Sequence, residues 1–467
     1  MRSNNFYMKK YRLRDSVKTP LAMSLAVLFI LLGYGPQALG WTLGHSPATA
    51  AALDTLPAGS RELWKSQEKE LVNTYVKYPD GKCEDAGKYL FSYQGVAFHC
   101  FPYESIQKNR ERCLAAFIFY FARIKEAANT GDMTSAAKYV GCLAHAMQDC
   151  GDCQHGLEGP LSPAGADFPT GFPLLQQLYP TPSGKEGKPA HLVLQGSIGD
   201  QTGQTMADIP GYKPILLGAT PEEAAFHLYE RYWDQYKSAR GKVCNIIEAY
   251  YADDSEGIRK NMSEMVKESA RCTADILYTA ACISKGRFDS DDVTQLTVVH
   301  LENITPSHNT SYMPDSIYSH HPIIKNGNLD LDRKLIPLTV LMQKDGQLSH
   351  VSFTNGIGTG CSGGCSIQWD VPAGIFAQLR VSPGMNSLLK SGSKCQMKVV
   401  LNQKVVYDTG PVSEKDVCEE AVIDMSGGGY VNFRSERIGE GYPVNHVVWG
   451  NPVLVRMKNL PGNTNAN

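Results

Sequence analysis

Apolar residues recur at spacings of three and four over most of the first 285 residues. Such spacing places them on one face of an α-helix. Thr220-Pro221-Glu222-Glu223 is typical of a helix start, and Thr134 is expected to cap a second helix. The pattern predicts helices over residues 51–76, 103–129, 134–149, 221–241 and 257–283.

The pattern changes after about residue 287. Residues 288–321 are polar and predict a linker, and beyond them short segments alternate apolar and polar residues between Gly- and Asn-rich turns. That alternation predicts an all-β sandwich, with Trp369 and Trp449 on the core side of their strands. The strands are predicted over residues 338–341, 365–371, 374–381, 395–401, 405–407, 422–425, 430–434 and 446–455.

A chain of 467 residues is too long for one ordinary core, so several domains are expected. The patterns predict a multidomain α and β protein in which an all-α domain precedes an all-β sandwich. The predicted parts are a signal peptide over 1–40, the helical domain over 41–287, the linker over 288–321, the sandwich over 322–457 and a polar tail over 458–467.

The first forty residues combine a basic stretch, Lys9 to Lys18, with an apolar run over 21–32. That run is short for a membrane span, and Ala38-Leu39-Gly40 supplies the small residues that a signal peptidase reads. We therefore expect cleavage after Gly40, a mature N-terminus at Trp41 and a secreted or periplasmic protein. An uncleaved membrane anchor is the alternative.

Charge and cysteine content narrow the class of protein further. The formal net charge is −2, which argues against a protein that works by electrostatic capture of nucleic acid. Thirteen cysteines in an exported chain predict disulfides, whose connectivity stays open. We expect a local or cross-helix disulfide at Cys150 and Cys153, because a redox or zinc-thiolate motif finds no second Cys-x-x-Cys in support.

The chemistry centres on His145 and Asp149, which are four residues apart and therefore share one face of a helix. His155 follows just past the expected helix end at Gly151. Imidazole and carboxylate groups are common zinc ligands, so the stretch predicts a metal site. Asp152 and Glu158, which border it, are expected to be solvated loop acids.

The region over residues 41–285 resembles the zinc-dependent phospholipase C and single-strand nuclease superfamily. The resemblance is carried by the stretch from Gly131 through His145 and Asp149 to His155, and by Trp41 with His45 one turn later. It implies an all-helical domain with up to three zinc ions in a cleft, and a mature N-terminal Trp that is itself a ligand.

The resemblance also implies a role for each candidate ligand. Trp41 and His45 would serve one zinc ion, and His155 and His191 another, where Gln195 replaces the Glu usual in the family. The remaining ion would be held by Asp80, His99, His145 and Asp149, with Asp149 as the bridging residue. Asp80 is also the candidate catalytic base. Asp85 is the alternative ligand to Asp80. The pair His227 and Glu230 is the alternative to the pair His191 and Gln195.

Residues 322–457 resemble carbohydrate-binding modules related to galactose-binding folds. The carriers include Asn355-Gly-Ile-Gly-Thr-Gly and Asn445-His-Val-Val-Trp-Gly. The resemblance implies a glycan as a partner of this sandwich.

These features together predict an exported zinc-dependent phosphodiester hydrolase. We expect it to be phospholipase C-like, acting on a phospholipid with transient contact to a membrane surface; a nuclease acting on single-stranded nucleic acid is the alternative. Two rivals are a metal-depleted scaffold with a glycan-binding sandwich, and a redox or structural disulfide protein. No stable protein partner is expected.

Overall fold

The structure is a computed structural model that gives side-chain detail for most of the chain. It describes a helical region followed by a β-sandwich, as the hydrophobic pattern predicts. The described residues are 44–80, 85–93, 96–97, 106–152, 178–187, 207–311, 323–330, 332–344, 346–360, 364–390, 394–439 and 446–461.

Five helices, the four long ones and the short α1 that carries His45, organise the helical region. The described helices are α1 (His45–Asp54), α2 (Ala58–Trp64), α3 (Glu68–Asn73), α4 (Ile106–Asn129), α5 (Met133–Cys150), α6 (Pro221–Tyr251), α7 (Ser255–Lys285) and α8 (Ser290–Leu296). Helix α5 packs against α4, α6 and α7, and α1 packs against α7. A core of aliphatic and aromatic side chains, including Trp64, Phe117 and Tyr229, fills the space between them.

The helix boundaries differ from the predicted ones at two glycine- or proline-containing points. The predicted helix over 51–76 is divided into three, because Pro57 lies at the start of α2 and prevents α1 from continuing. Helix α6 runs past Gly241 to Tyr251, because Val243, Ile246 and Ile247 go on burying one face. The gain from this burial outweighs the low helix propensity of one exposed glycine.

The helix starts at α5 and α6 show the expected capping chemistry. Thr220 caps α6, where its hydroxyl accepts a hydrogen bond from the Glu223 N–H at 3.2 Å. At α5 the capping residue is Asp132 rather than the predicted Thr134: its carboxylate accepts from the Ser135 N–H at 3.0 Å. Asp132 has the non-helical backbone that a cap requires, whereas Thr134 already lies inside the helix.

Short pieces of structure join these helices. The described 3₁₀ helices are Lys65–Gln67, Tyr75–Asp80, Ala86–Lys88 and Leu301–Asn303, and strands β1 (Ser92–Tyr93) and β2 (Val96–Ala97) form a small hairpin. No described helix carries an apolar stretch long enough to cross a lipid bilayer.

The β region is built from antiparallel sheets. Its described strands are β3 (Val298–His300), β4 (His308–Ser311), β5 (Ile324–Lys325), β6 (Asn328–Leu329), β7 (Leu335–Ile336), β8 (Leu338–Lys344), β9 (Gln347–Phe353), β10 (Gly356–Thr359), β11 (Cys365–Val371), β12 (Phe376–Met385), β13 (Lys394–Leu401), β14 (Lys404–Val412), β15 (Ala421–Asp424), β16 (Gly429–Ile438) and β17 (Val447–Arg456). One sheet has the order β15-β12-β17-β10-β5, and β3 also pairs with β17; the other has the order β14-β13-β16-β11-β4. Two further hairpins are β6-β7 and β8-β9.

The two large sheets enclose a shared aromatic core. Trp369 and Phe433 from one sheet meet Trp449 from the other, with the Phe433 and Trp449 rings stacked at 4.5 Å between centroids. Both tryptophans are 1% exposed, in agreement with the core position that the strand alternation predicts.

Part of the predicted linker over 288–321 belongs to this sandwich. Strand β3 pairs with β17 of one sheet, and β4 pairs with β11 of the other. The polar composition that suggested a linker is that of short edge strands, which bury few of their side chains. Leu460, in the predicted polar tail, packs against the same core.

Candidate metal centre

Two elements bring the candidate ligands together. On α5, His145 and Asp149 lie one helical turn apart, and the His145 Nε2 is 3.1 Å from the Asp149 Oδ2. His45 is the first residue of α1, and its Nε2 is 3.3 Å from the other carboxylate oxygen, Oδ1. The two imidazole rings stack at 4.2 Å between centroids.

This arrangement fits a metal ion. One donor atom from each of His45, His145 and Asp149 can be chosen so that all three lie within 4.8 Å of one another. The three side chains are almost fully buried, so the free energy lost on removing them from water has to be recovered by strong polar contacts. Two imidazoles and a carboxylate form a donor set that suits zinc.

The far nitrogen of each imidazole is held by a buried acceptor. The Nδ1 of His145 lies 2.8 Å from the carbonyl oxygen of Val76, and the Nδ1 of His45 lies 2.8 Å from the Oε1 of Gln148. A carbonyl or amide oxygen only accepts, so each Nδ1 carries the proton. When a ring is neutral, the lone pair of its Nε2 therefore faces Asp149, as a metal ligand requires.

Asp80 approaches the same group from the end of the 3₁₀ helix Tyr75–Asp80. Its Oδ1 is 3.7 Å from the His145 Nε2, and its side chain is 19% exposed, whereas that of Asp149 is 5% exposed. Asp85, the alternative ligand, is instead bound to Lys138 at 2.5 Å, and the Lys138 ammonium lowers the pKa of its carboxyl. The geometry therefore favours Asp80.

Gly141 permits this close approach. A Cβ at Gly141 would lie 2.7 Å from the carbonyl carbon of Tyr75, a distance that side chains do not adopt. Gly141 is one turn before His145 on α5, so its bare backbone lets the segment carrying Val76 and Asp80 pack onto the ligand-bearing face.

Burial and neighbouring charges shift the pKa values of the two imidazole rings in opposite directions. Burial lowers the pKa of His45, and the stacked His145 lowers it further. Burial also opposes the charged form of His145, but the carboxylates of Asp149 and Asp80 outweigh it and raise the pKa of that ring. His45 is thus held neutral, which is the protonation state that binds a metal.

Five of the predicted ligands lie outside the described residues: Trp41, His99, His155, His191 and Gln195. Of the alternative pair, Glu230 accepts a hydrogen bond from the Thr305 N–H at 2.8 Å and lies 3.7 Å from Arg110. It is thereby engaged where the helical region meets the sandwich. His227 lies on the same helix, and burial lowers the pKa of its imidazole.

Two buried residues beside the site, Asp152 and Gln148, are not predicted correctly by the sequence. Asp152, expected to be solvated, is 0% exposed, because the chain continues the last turn of α5 with the Asp152 N–H bound to the Asp149 carbonyl at 3.0 Å. Gln148, also 0% exposed, was not a candidate. A glutamine three residues after one ligand and directly before the next was the available signal.

Cys150 lacks the properties of a redox-active thiol. The structure joins no two described cysteines by a disulfide, and Cys153 lies outside the described residues. Cys150 is buried, its Sγ donates to the Tyr232 carbonyl, and burial raises the pKa of its thiol well above the ordinary value. A thiol that resists ionisation is a poor nucleophile.

Comparisons with known proteins give weak likenesses. No protein-family model and no curated protein matches the chain. CBM51 from Clostridium perfringens GH95 in complex with methyl-galactose is 16% identical, covers 34% of this chain and 100% of its own, and has a TM-score of 0.27. Alpha-toxin from the avian Clostridium perfringens strain SWCP is 10% identical over 91% of this chain and 93% of its own, with a TM-score of 0.29.

Alpha toxin from Clostridium absonum is similar at 9% identity over 90% of this chain and 94% of its own, with a TM-score of 0.29. At such identities and TM-scores the likenesses carry no argument about activity. The function is therefore argued from the residues of the site.

Proposed function

We propose that this chain is a zinc-dependent phosphodiester hydrolase of the phospholipase C type. The observation that carries the proposal is the convergence of the His45 and His145 Nε2 atoms on the two oxygens of one buried carboxylate, Asp149. Each oxygen faces a different imidazole, which is the arrangement expected of a carboxylate that bridges two zinc ions.

The residues present divide the work. Asp149 would bridge two ions, with His45 serving one of them and His145 and Asp80 the other. Bound zinc ions supply a water of lowered pKa and neutralise the phosphate charge. Trp41, His99, His155, His191 and Gln195 complete the proposed ligand set from outside the described residues.

Asp80 is proposed as the group that meets the reacting water. It is the most exposed of the four described ligands, so it lies nearer to solvent than the other three. A carboxylate there can orient a water and take its proton as the water attacks phosphorus. Asp80 is proposed both as a base and, together with His145, as a metal ligand.

The substrate class is proposed from charge. A net charge of −2 provides little long-range attraction for a polyanion, which favours a lipid or small phosphodiester over nucleic acid. The exposed edge of the site would then take a phosphate headgroup at a membrane surface.

Hydrolysis by the full chain tests the proposal. The expected result is zinc-dependent release of product from a chromogenic phosphocholine ester, with Asp80→Asn slower by about 10²–10⁴-fold through loss of the base. Asp149→Asn is expected to abolish the activity. Asp253→Asn is the matched control, because Asp253 is 79% exposed and pairs only with Lys185 at the surface in the described contacts.

The other outcomes decide between the rivals. Preferential cleavage of single-stranded DNA would replace the phospholipase proposal with the nuclease alternative. Zinc binding without cleavage of either substrate would leave a different phosphoester as the substrate. A full chain that binds no zinc would contradict hydrolysis and leave the metal-depleted scaffold, whose partner is a glycan bound by the sandwich.

A further inference from the structure

Gln148 is a buried side chain held at both ends. It lies on α5 directly before Asp149 and is 0% exposed. Its Oε1 is 2.8 Å from the His45 Nδ1, and its Nε2 donates to the hydroxyls of Thr49 on α1 and Thr273 on α7, at 3.0 and 2.9 Å. The amide thus connects three helices beside the metal centre.

The hydroxyl contacts determine which way the amide points. The Thr273 Oγ1 donates its own hydrogen to the Ser269 carbonyl at 2.8 Å, so towards Gln148 it can only accept. The NH₂ end of the amide must therefore face Thr273, and the oxygen must face His45. The orientation follows from the hydrogen-bond network rather than from the amide alone.

We propose that Gln148 is a positioning residue that fixes His45 as the Nδ1–H tautomer and thereby sets the zinc affinity of the His45 side of the cluster. The inference rests on the proposed function, since it assumes that the cluster holds zinc. His145 receives the same support from the backbone carbonyl of Val76, which no side-chain substitution removes. Of the two histidine ligands that the structure describes, His45 is the one that depends on a side chain for its tautomer.

The consequence is an asymmetry between the two sides of Asp149. Replacing Gln148 with Met keeps the side-chain length but removes the acceptor, so His45 can rotate or place its proton on Nε2. Loss of such an outer partner weakens metal binding by about 10- to 100-fold. The weakening is expected for one zinc ion, while the ion served by His145 and Asp80 keeps its affinity.

The tautomer is measured first, in the metal-free full chain labelled with ¹⁵N-histidine. Wild-type His45 is expected as Nδ1–H, and Gln148→Met is expected to shift it towards Nε2–H. The His45 signal is assigned by its loss in His45→Gln. An unchanged His45 tautomer in Gln148→Met overturns the inference, whatever the zinc affinity.

Zinc affinity is measured next, by competition with a chromophoric chelator. Gln148→Met is expected to lose about 10- to 100-fold at one site, and Gln148→Glu, which keeps an acceptor oxygen, is expected to restore binding. Equal affinity of wild type and Gln148→Met contradicts the inference. Failure of Gln148→Glu to restore binding assigns Gln148 a packing role and also contradicts it.

Two further variants separate positioning from folding. Gln235→Met removes another buried glutamine, which is 1% exposed and lies 3.5 Å from the Ser269 hydroxyl, and is expected to leave zinc affinity unchanged. Thr273→Val frees the Gln148 amide to turn without changing Gln148 itself, and is expected to weaken zinc binding at the same single site. It serves as the test if Gln148→Met does not fold. Wild-type protein without zinc affinity would end the proposed function, while the tautomer measurement would still decide the role of Gln148.

Discussion

At the scale of single residues, the site depends on partners that fix each polar group. The His145–Asp149 pair is predictable from the sequence because a four-residue spacing on a helix is a local rule. The meeting of His45 with Asp149 joins positions 104 residues apart, so only the resemblance to a known family pointed to it. Gln148 is marked in the sequence only by its place between two ligands, because its role arises where three helices meet.

Glu230 shows how burial alone makes one residue pH-sensitive. Its side chain is 14% exposed, and burial raises its pKa from 4.5 to about 7 against the opposing effect of Arg110. Between those two values the unfolded chain has lost a proton that the folded chain keeps. The stabilising contribution is therefore complete below pH 4.5 and is lost as the pH rises through 7.

Glu230→Gln should remove this dependence. From pH 4.5 to 8, the free energy of unfolding of the wild type is expected to fall by about 1–3 kcal/mol relative to the variant, measured by urea unfolding without zinc. Glu62→Gln controls for the lost charge, because Glu62 is 68% exposed. A constant difference between wild type and Glu230→Gln over that range would contradict the account.

At the scale of elements, the metal centre forms where α5 packs against the 3₁₀ helix Tyr75–Asp80. Periodicity located α5 to within one residue at each end, because its apolar face is a local feature, although the capping residue is Asp132 rather than the predicted Thr134. It did not locate the end of α6, since packing of Val243 and Ile246 overrides a glycine that usually ends a helix. The close contact at Gly141 is not visible in a helical pattern either.

Gly141→Ala tests that contact. The added methyl would have to displace the backbone of Tyr75, at an expected cost of about 1–3 kcal/mol of unfolding free energy and with weaker zinc binding, because Val76 and Asp80 move with Tyr75. Gly241→Ala, on an exposed position of α6 with open space around it, is expected to stabilise by up to about 1 kcal/mol. Both are measured by urea unfolding and chelator competition. Unaltered zinc affinity in Gly141→Ala would contradict this role.

At the scale of the molecule, the helical region and the sandwich are joined by buried polar contacts. Arg456 of β17 donates to both carboxylate oxygens of Glu223 on α6 at 2.7 and 3.1 Å, and both residues are at most 3% exposed. Arg110 of α4 donates to the Asp370 carbonyl at 3.2 Å. Phe226 packs against Phe376 alongside them.

The sequence predicted both regions but not this union. Each region has its own periodicity, whereas Glu223 and Arg456 are 233 positions apart, and the helix-start motif that contains Glu223 does not point to Arg456. Breaking one partner of such a buried pair leaves an uncompensated charge. The sandwich is therefore joined to α4 and α6, which pack against the site-bearing α5, rather than tethered by a free linker.

The central claim is that His45, His145 and Asp149 hold zinc, and metal content tests it most directly. Zinc per chain is measured by mass spectrometry after dialysis of the full chain. At least one zinc ion per chain is predicted, with loss in His145→Ala and Asp149→Asn and retention in His350→Ala, whose imidazole lies on β9. Less than one zinc ion per chain in the wild type would contradict the account.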